Sequence, residues 1–438
     1  MRSKAVIQML LPDYKPAHGY GIRSLFLLLF LLLGGCFSPG ELANRNMAGN
    51  YRPMDGQSLS AEVTIRQVND SLARVLIRIK PDEYLYVRQE DNRYLATVGI
   101  HLQLVESYDV PTRYDSAVAR YTMDMTEKGK ARIFEVELPV HRKGTILLET
   151  VITDEGKGAS ATFFIPFAHL TAQSRQCFWA TLPDGTPFFR DHVKANDSLR
   201  IYYQDTSTGF LWCHYYKKDF PLANPPFSFD AREPFDYHAD SVFRYDLQEH
   251  PVLTLNRRGF YHFRIDTTRK EGFTIFRFGE DHPQVSDVDQ MLEALRYLTT
   301  RKEYEELKSN PHPRQAVDGF WIERGGNEER TRMLIRKYYT RVQDANRFFS
   351  SYTEGWRTDR GMIYVVLGVP NTIYRSAQSE TWIYGTVNNP VSINFFFTKV
   401  DNPFTENDYA LSRSPIYETS WFRAVDVWRS GRVYNNMY

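Results

Sequence analysis

Cysteine is scarce: the 438 residues hold only Cys36, Cys177 and Cys213. A disulfide framework is therefore excluded as the main source of stability, and hydrophobic cores must supply it. Charge imbalance is missing as well. Lys and Arg number 54 against 53 Asp and Glu, for a net charge of +1, so no whole-protein field recommends nucleic acid as a partner. The eleven histidines stand singly, without a His-x-His pair or an HExxH run, which argues against a metal centre. A GxSxG elbow, a P-loop and a dinucleotide fingerprint are all absent, and nothing else in the pattern implies a cofactor. The apolar run Leu25 to Leu33 has nine residues, far short of the roughly 20 that cross a bilayer as a helix.

What the chain has is aromatic residues, 15% of the total with 28 Tyr and 29 Phe, which together with many β-branched residues lean it towards strands. Its length allows two to four domains. At the N-terminus Arg2, Lys4, Lys15 and Arg23 precede the apolar run, and Gly34, Gly35 and Cys36 follow it. A basic region, a short apolar region and small residues describe a secretory leader over residues 1–35. Met9 is an alternative start. The ending Leu33 to Cys36, LGGC, resembles a bacterial lipobox, which implies cleavage before Cys36, its diacylation and acylation of the new N-terminus. Several acyl chains on one residue give stable anchoring where one would be marginal. The alternative is an unlipidated secreted protein. Phe37 to Gln57 is polar and rich in Gly, Asn, Pro and Ser, so residues 36–57 read as a flexible tether. Cys177 and Cys213 fall in one expected domain, and the sequence leaves open whether they pair or stay as buried thiols.

The remainder divides by period. Alternation over Ala61–Val68, Leu72–Lys80, Thr97–Ser107, Arg132–Val140, Thr145–Thr153 and Ala161–Phe167 predicts an antiparallel β-sandwich over residues 58–167, with Asn69, Asp70 and Ser71 as a hairpin turn. A second β-sandwich-like unit over 168–283 rests on Ser198–Gln204, Phe210–Lys217, Ser241–Leu247, Gly259–Ile265 and Phe273–Gly279. The proline-rich stretch Phe220 to Pro234 between them reads as a loop. From Pro283 the period becomes 3.6. Ser286 and Asp287 would cap one helix, Arg301 to Lys308 forms another, and Asn327 would cap the longest, with Leu334, Tyr338, Val342, Ala345 and Phe349 in one stripe. Met362 to Leu367 is a continuous apolar run between turn residues and predicts a strand covered on both faces. Thr381–Gly385 and Ser392–Val400 are further strands, and a terminal helix carries Trp421 and Trp428. The expected fold is multidomain and mainly β, ending in an α+β domain over 284–438 that combines a helical segment with a small sheet.

Phe320 and Trp321, the helix RKYYTRVQDANRFF (Arg336 to Phe349), GWRTDRG (Gly355 to Gly361), IYVVLGVP (Ile363 to Pro370) and ETWIY (Glu380 to Tyr384) together resemble the GWxTD-domain proteins. The likeness covers about Val317 to Phe397. It implies an exported bacterial protein of a kind common in Bacteroidota and often lipidated, and it implies no activity. One departure is that Gly325 and Gly326 follow Arg324 where relatives commonly carry Asp-Pro, which loosens the loop before the long helix.

Two readings of the motif compete. Asp359 would be an acid or base if Trp356 desolvated it, with Arg357 or Arg360 holding an anion. Alternatively Trp356 is a core anchor, Thr358 and Asp359 cap a turn, and Gly361 lets the chain reverse. The second needs no partner residue and is preferred, so Gly355, Trp356, Thr358, Asp359, Arg360 and Gly361 are expected as a binding or structural motif and no residue as catalytic. The expected role is that of a binding or assembly component of the cell envelope, lipid-anchored by Cys36 in the outer membrane, facing the periplasm and meeting another envelope protein or a glycan. The alternative is an envelope hydrolase acting on glycan or peptide around the motif.

Overall fold

The computed structural model describes residues 45–52, 59–110, 112–229 and 234–435. The expected leader, Cys36 and the remaining tether residues lie outside them. Strands β1 (Ala61–Asn69), β2 (Leu72–Ile79) and β6 (Arg132–Pro139) make one antiparallel sheet. A five-stranded sheet comprises β3 (Val87–Arg88), β4 (Tyr94–Val105), β5 (Arg113–Asp124), β7 (Gly144–Asp154) and β8 (Ala159–His169). The period of two turns Ala73, Val75 and Ile77 of one sheet towards Val98, Ile100, Leu102 and Ile152 of the other, while Arg74 faces out and pairs with Glu137 at 3.0 Å. Each such aliphatic side chain contributes about 1.5–3 kcal/mol on burial, and that sum holds the two sheets together. Asn69 Oδ1 accepts the Ser71 N–H at 3.0 Å, which closes the hairpin where the sequence placed it.

The second unit repeats the plan. Strands β9 (Phe178–Thr181), β10 (Ser198–Tyr203) and β13 (Leu253–Thr254) form one sheet, and β11 (Phe210–Tyr216), β12 (Ser241–Asp246), β14 (Gly259–Arg264) and β15 (Phe273–Arg277) the other. Cys177 and Cys213 sit in the aromatic core between these sheets as free, buried thiols.

The same region buries two imidazoles that respond to acid. Burial pushes His262 and His282 each down to about 3, so both stay neutral in the fold. Unfolded, they would protonate near 6.5. Unfolding therefore takes up protons below about pH 6.5, and stability falls as pH drops from there towards 3 while staying level above it. The urea midpoint should accordingly be lower at pH 5 than at pH 7.5, and equal midpoints would contradict the buried neutral rings.

Helices α1 (Val288–Ala294), α2 (Arg301–Lys308), α3 (Pro313–Gly325), α4 (Glu328–Phe349), α5 (Asp359–Leu367) and α6 (Glu418–Arg429) pack around a sheet of β16 (Thr372–Arg375), β17 (Ser379–Tyr384), β18 (Ile393–Lys399) and β19 (Tyr409–Leu411). The expected starts hold, since the side chains of Asp287 and Asn327 accept N–H groups of their own first turns. The stripe on α4 is fully buried, and Trp421 and Trp428 turn inward from α6.

Two expectations are corrected here. Met362 to Leu367 is helical, the body of α5, and not a strand. The run is apolar throughout because α5 is covered on every side, and a helix without an exposed face loses its 3.6 period. Residues 45–52, placed in the flexible tether, instead dock on the last domain. Asn46 Oδ1 accepts the Ile373 N–H at 3.0 Å, the Met47 N–H donates to Ile373 O at 2.8 Å, and Ala48–Tyr51 forms a 3-10 turn. Met47, Ala48 and Tyr51 are buried there, so three apolar side chains outweigh the polar composition around them.

Candidate functional site

The motif begins with a close approach. Gly355 lies so near α4 that a Cβ on it would overlap the Ala345 carbonyl, and a Cβ on Gly361 would overlap the Gly355 carbonyl in turn. Glycine at both positions lets three backbone segments stack without side chains between them. Gly355–Arg357 is a 3-10 turn. It buries Trp356 to 1% exposure, and the backbone of Trp356 is held from two sides. Its N–H donates to Asn346 Oδ1 at 3.3 Å, and its carbonyl accepts the Tyr297 hydroxyl at 2.9 Å.

Thr358 caps α5. Its hydroxyl accepts the Gly361 N–H at 3.1 Å and donates to Gly355 O at 2.7 Å, tying turn to helix. Asp359 stands at the first position of α5, where a carboxylate favours the helix dipole. Its Oδ2 accepts the Leu411 N–H at 2.8 Å, and Arg413 pairs with the same carboxylate. Arg357 donates to Glu293 at 2.9 Å and to Phe220 O at 3.0 Å. Thr358 thus ties the motif to itself, while the Trp356 backbone, Arg357 and Asp359 pin it to α4, to α1 and the loop after β11, and to β19.

Arg360 makes the deepest of these contacts. It is 1% exposed and donates from Nη1 to Glu380 Oε1 at 3.0 Å, while Glu380 is 0% exposed. The same oxygen accepts the Tyr51 hydroxyl at 2.9 Å and lies 3.1 Å from Arg375 Nε, and Oε2 accepts Trp382 Nε1–H at 3.0 Å. Burial alone would raise the Glu380 carboxyl. Arg360 and Arg375, with the hydrogen bonds from Trp382 and Tyr51, outweigh it and hold the group below the usual carboxylate range. Two guanidinium groups face one carboxylate, and aromatic rings take up part of the excess charge. Arg360 lies 4.0 Å from the Tyr409 ring centroid, and Arg375 lies 4.4 Å from that of Tyr108. Arg360 Nη2 also donates to Asn407 O at 3.0 Å, and the Asn407 amide in turn holds the last carbonyls of α4.

The structure brings Gly355, Trp356, Thr358, Asp359, Arg360 and Gly361 into one continuous contact with α4 and the sheet. Sequence reasoning missed the partners. Glu380 was legible in one respect, since the period of two sets it on the same face of β17 as the buried Trp382 and Tyr384. Arg413 lies 54 positions from Asp359 with no local signal joining them. The cationic face of α4 is also divided. Arg330, Lys337 and Arg341 line an open groove of about 1010 Å³, and of these Arg341 is tied down, donating to Val366 O at 3.1 Å and to Tyr434 O at 2.6 Å beside the Trp428 ring. Among the described residues no group of three or more His, Cys, Asp or Glu is placed to hold a metal ion.

No curated protein matches the chain. Among solved structures, the crystal structure of red sea bream transglutaminase aligns at 12% identity with a TM-score of 0.18, covering 52% of this chain and 32% of its own. The chain therefore spans about a third of that protein's length, and a likeness so slight carries no argument about fold or activity. The family match starts earlier than the expected domain boundary at 284: it begins at β14, within the sheet of the second unit, whose Phe260 packs against Phe404. Residues 259–430, with the Gly355–Gly361 contact near their middle, match the GWxTD domain family.

Proposed function

We propose that this chain is a binding or assembly component of the cell envelope, of the exported Bacteroidota lipoprotein type, held in the outer membrane by acyl chains on Cys36 and facing the periplasm. Its partner in this reading is another envelope protein or a glycan. The observation that supports binding over catalysis is the engagement of the motif: Asp359, Arg357 and Arg360 each pair with an internal partner. A hydrolase acting through Asp359 would need that carboxylate free to reach a substrate, and Leu411 and Arg413 hold it. Among the described residues no helix is long and apolar enough to cross a membrane, so in this reading attachment falls to the lipid.

Replacing Cys36 by Ser should move the protein from the membrane fraction to the soluble periplasmic fraction, as read by fractionation and blotting. Retention of the Cys36→Ser protein in the membrane would overturn the anchor. Crosslinking followed by mild detergent extraction should recover a defined envelope partner with the wild-type chain. Turnover of a peptidoglycan or glycan substrate that disappears in Asp359→Asn would instead establish the hydrolase.

A further inference from the structure

The second β unit contains a charged cavity that the motif does not touch. Alternation along β11 and β14 sends Leu211, Cys213, Tyr215, Tyr261 and Phe263 into the sandwich core and leaves His214, Tyr216, His262 and Arg264 on the opposite face. His214 and His262 are cross-strand partners, as are Trp212 and Arg264. An outer sheet face would ordinarily be open to water. This one is flanked by residues 237–239, by residues 267–270 and by Phe404, which together border a partly open cavity of about 400 Å³. That volume lies within the range of small-ligand sites.

The charges are one-sided. The cations Arg264, Arg269 and Lys270 line the cavity beside the imidazoles of His214, His238 and His262, of which His214 and His262 are kept neutral by burial, and no Asp or Glu lines it. Arg264 is 8% exposed, yet no carboxylate among the described residues pairs with it. Its guanidinium donates to Arg269 O at 2.6 Å and lies 2.7 and 3.0 Å from the ring nitrogens of His214, and its Nε–H is buried without an acceptor. The nearby Asp266 acts on Arg264 through its charge but makes no ion pair with it, its carboxylate accepting the Thr268 N–H and hydroxyl at 2.8 and 2.7 Å. His262 is occupied on both nitrogens, by Thr274 Oγ1 and Lys270 O, each at 2.8 Å. A buried cation without a countercharge is costly, and an anion entering from solvent would relieve that cost. Tyr216, Tyr237 and Phe404 supply flat apolar walls beside it.

We propose that this cavity binds a small organic anion, with a carboxylate or phosphate oxygen on Arg264 and the rim cations Arg269 and Lys270, and a sugar-sized body against Tyr237 and Phe404. The proposal does not depend on the envelope role above. Calorimetric titration of the purified full chain in detergent with glucuronate, inorganic phosphate and neutral glucose tests it. Glucuronate should bind with an affinity that weakens as salt is added, phosphate should bind more weakly, and glucose should give no heat. Arg264→Gln should raise the glucuronate Kd about tenfold or more, as expected for one lost charge-assisted bond. Arg269→Gln and Lys270→Gln lie at the rim, where folding does not depend on them, and should each raise Kd several-fold. Phosphate binding as tight as glucuronate would overturn the aromatic-wall assignment. Absence of heat from both anions, or an unchanged Kd in all three variants, would overturn the site.

Discussion

Glu380→Gln lowers folding stability by about 3–5 kcal/mol, read from urea unfolding at pH 7.5, because it leaves two buried guanidinium groups without their anion. The size follows from the geometry. Glu380 is wholly buried, and Arg360, Arg375, Tyr51 and Trp382 all converge on its carboxylate. A glutamine keeps the shape and some of the hydrogen bonds, so the loss reports charge and not volume. Arg360→Met should relieve part of that loss in the double variant, giving a coupling of about 0.5–3 kcal/mol between the two positions. A Glu380→Gln cost below about 1 kcal/mol would mean that water reaches the cluster and that the buried ion pair is not what joins α5 to β17.

Gly355→Ala is the second large effect, with an expected cost above about 3 kcal/mol and a sharp fall in soluble yield. The added methyl meets the Ala345 carbonyl of α4, a main-chain atom that no rotamer change can move aside. Gly319, within α3, is the internal comparison. A Cβ there meets nothing within 4 Å, so Gly319→Ala should be neutral or stabilising by up to about 1 kcal/mol, as helix propensity alone dictates. Equal behaviour of the two variants would remove the steric account of the motif glycines.

Legibility in the sequence followed exposure. Where an element has one wet face its period was readable: β1, β2, β4 and β7 alternate, and α4 carries a clean stripe opposite its arginines. Where both faces are covered the period vanishes, and Met362 to Leu367 then offered only length and composition, which a short helix shares with a strand. The information that distinguishes them sits at the ends. Thr358 is an N-cap with its acceptor reaching Gly361, and Gly368 at φ +85° terminates the helix. β5 went unread because most of its length is polar and half exposed along the flank of its sheet, and β9, β16 and β19 because three or four residues hold too little pattern. The motif itself stood out as composition, whereas its purpose lay in Glu380, Asn407 and Arg413. Glu380 lies on β17, Asn407 and Arg413 lie just before and just after β19, and no spacing rule links them to Gly355–Gly361. The cavity beside Arg264 was hidden for a related reason, since its roof comes from Phe404, far downstream of the strands that form its floor.

The docking of residues 45–52 sets how the molecule bears load. Tyr51 and Glu380 are 329 positions apart and in direct contact, which makes the chain between them a closed loop. Tension applied at residue 45 meets Asn46 and Met47 on β16, and then Tyr51 on the Glu380 carboxylate, before any of it reaches β1. A pull at residue 45 therefore loads β16 and the Glu380 cluster ahead of the strands that follow in sequence.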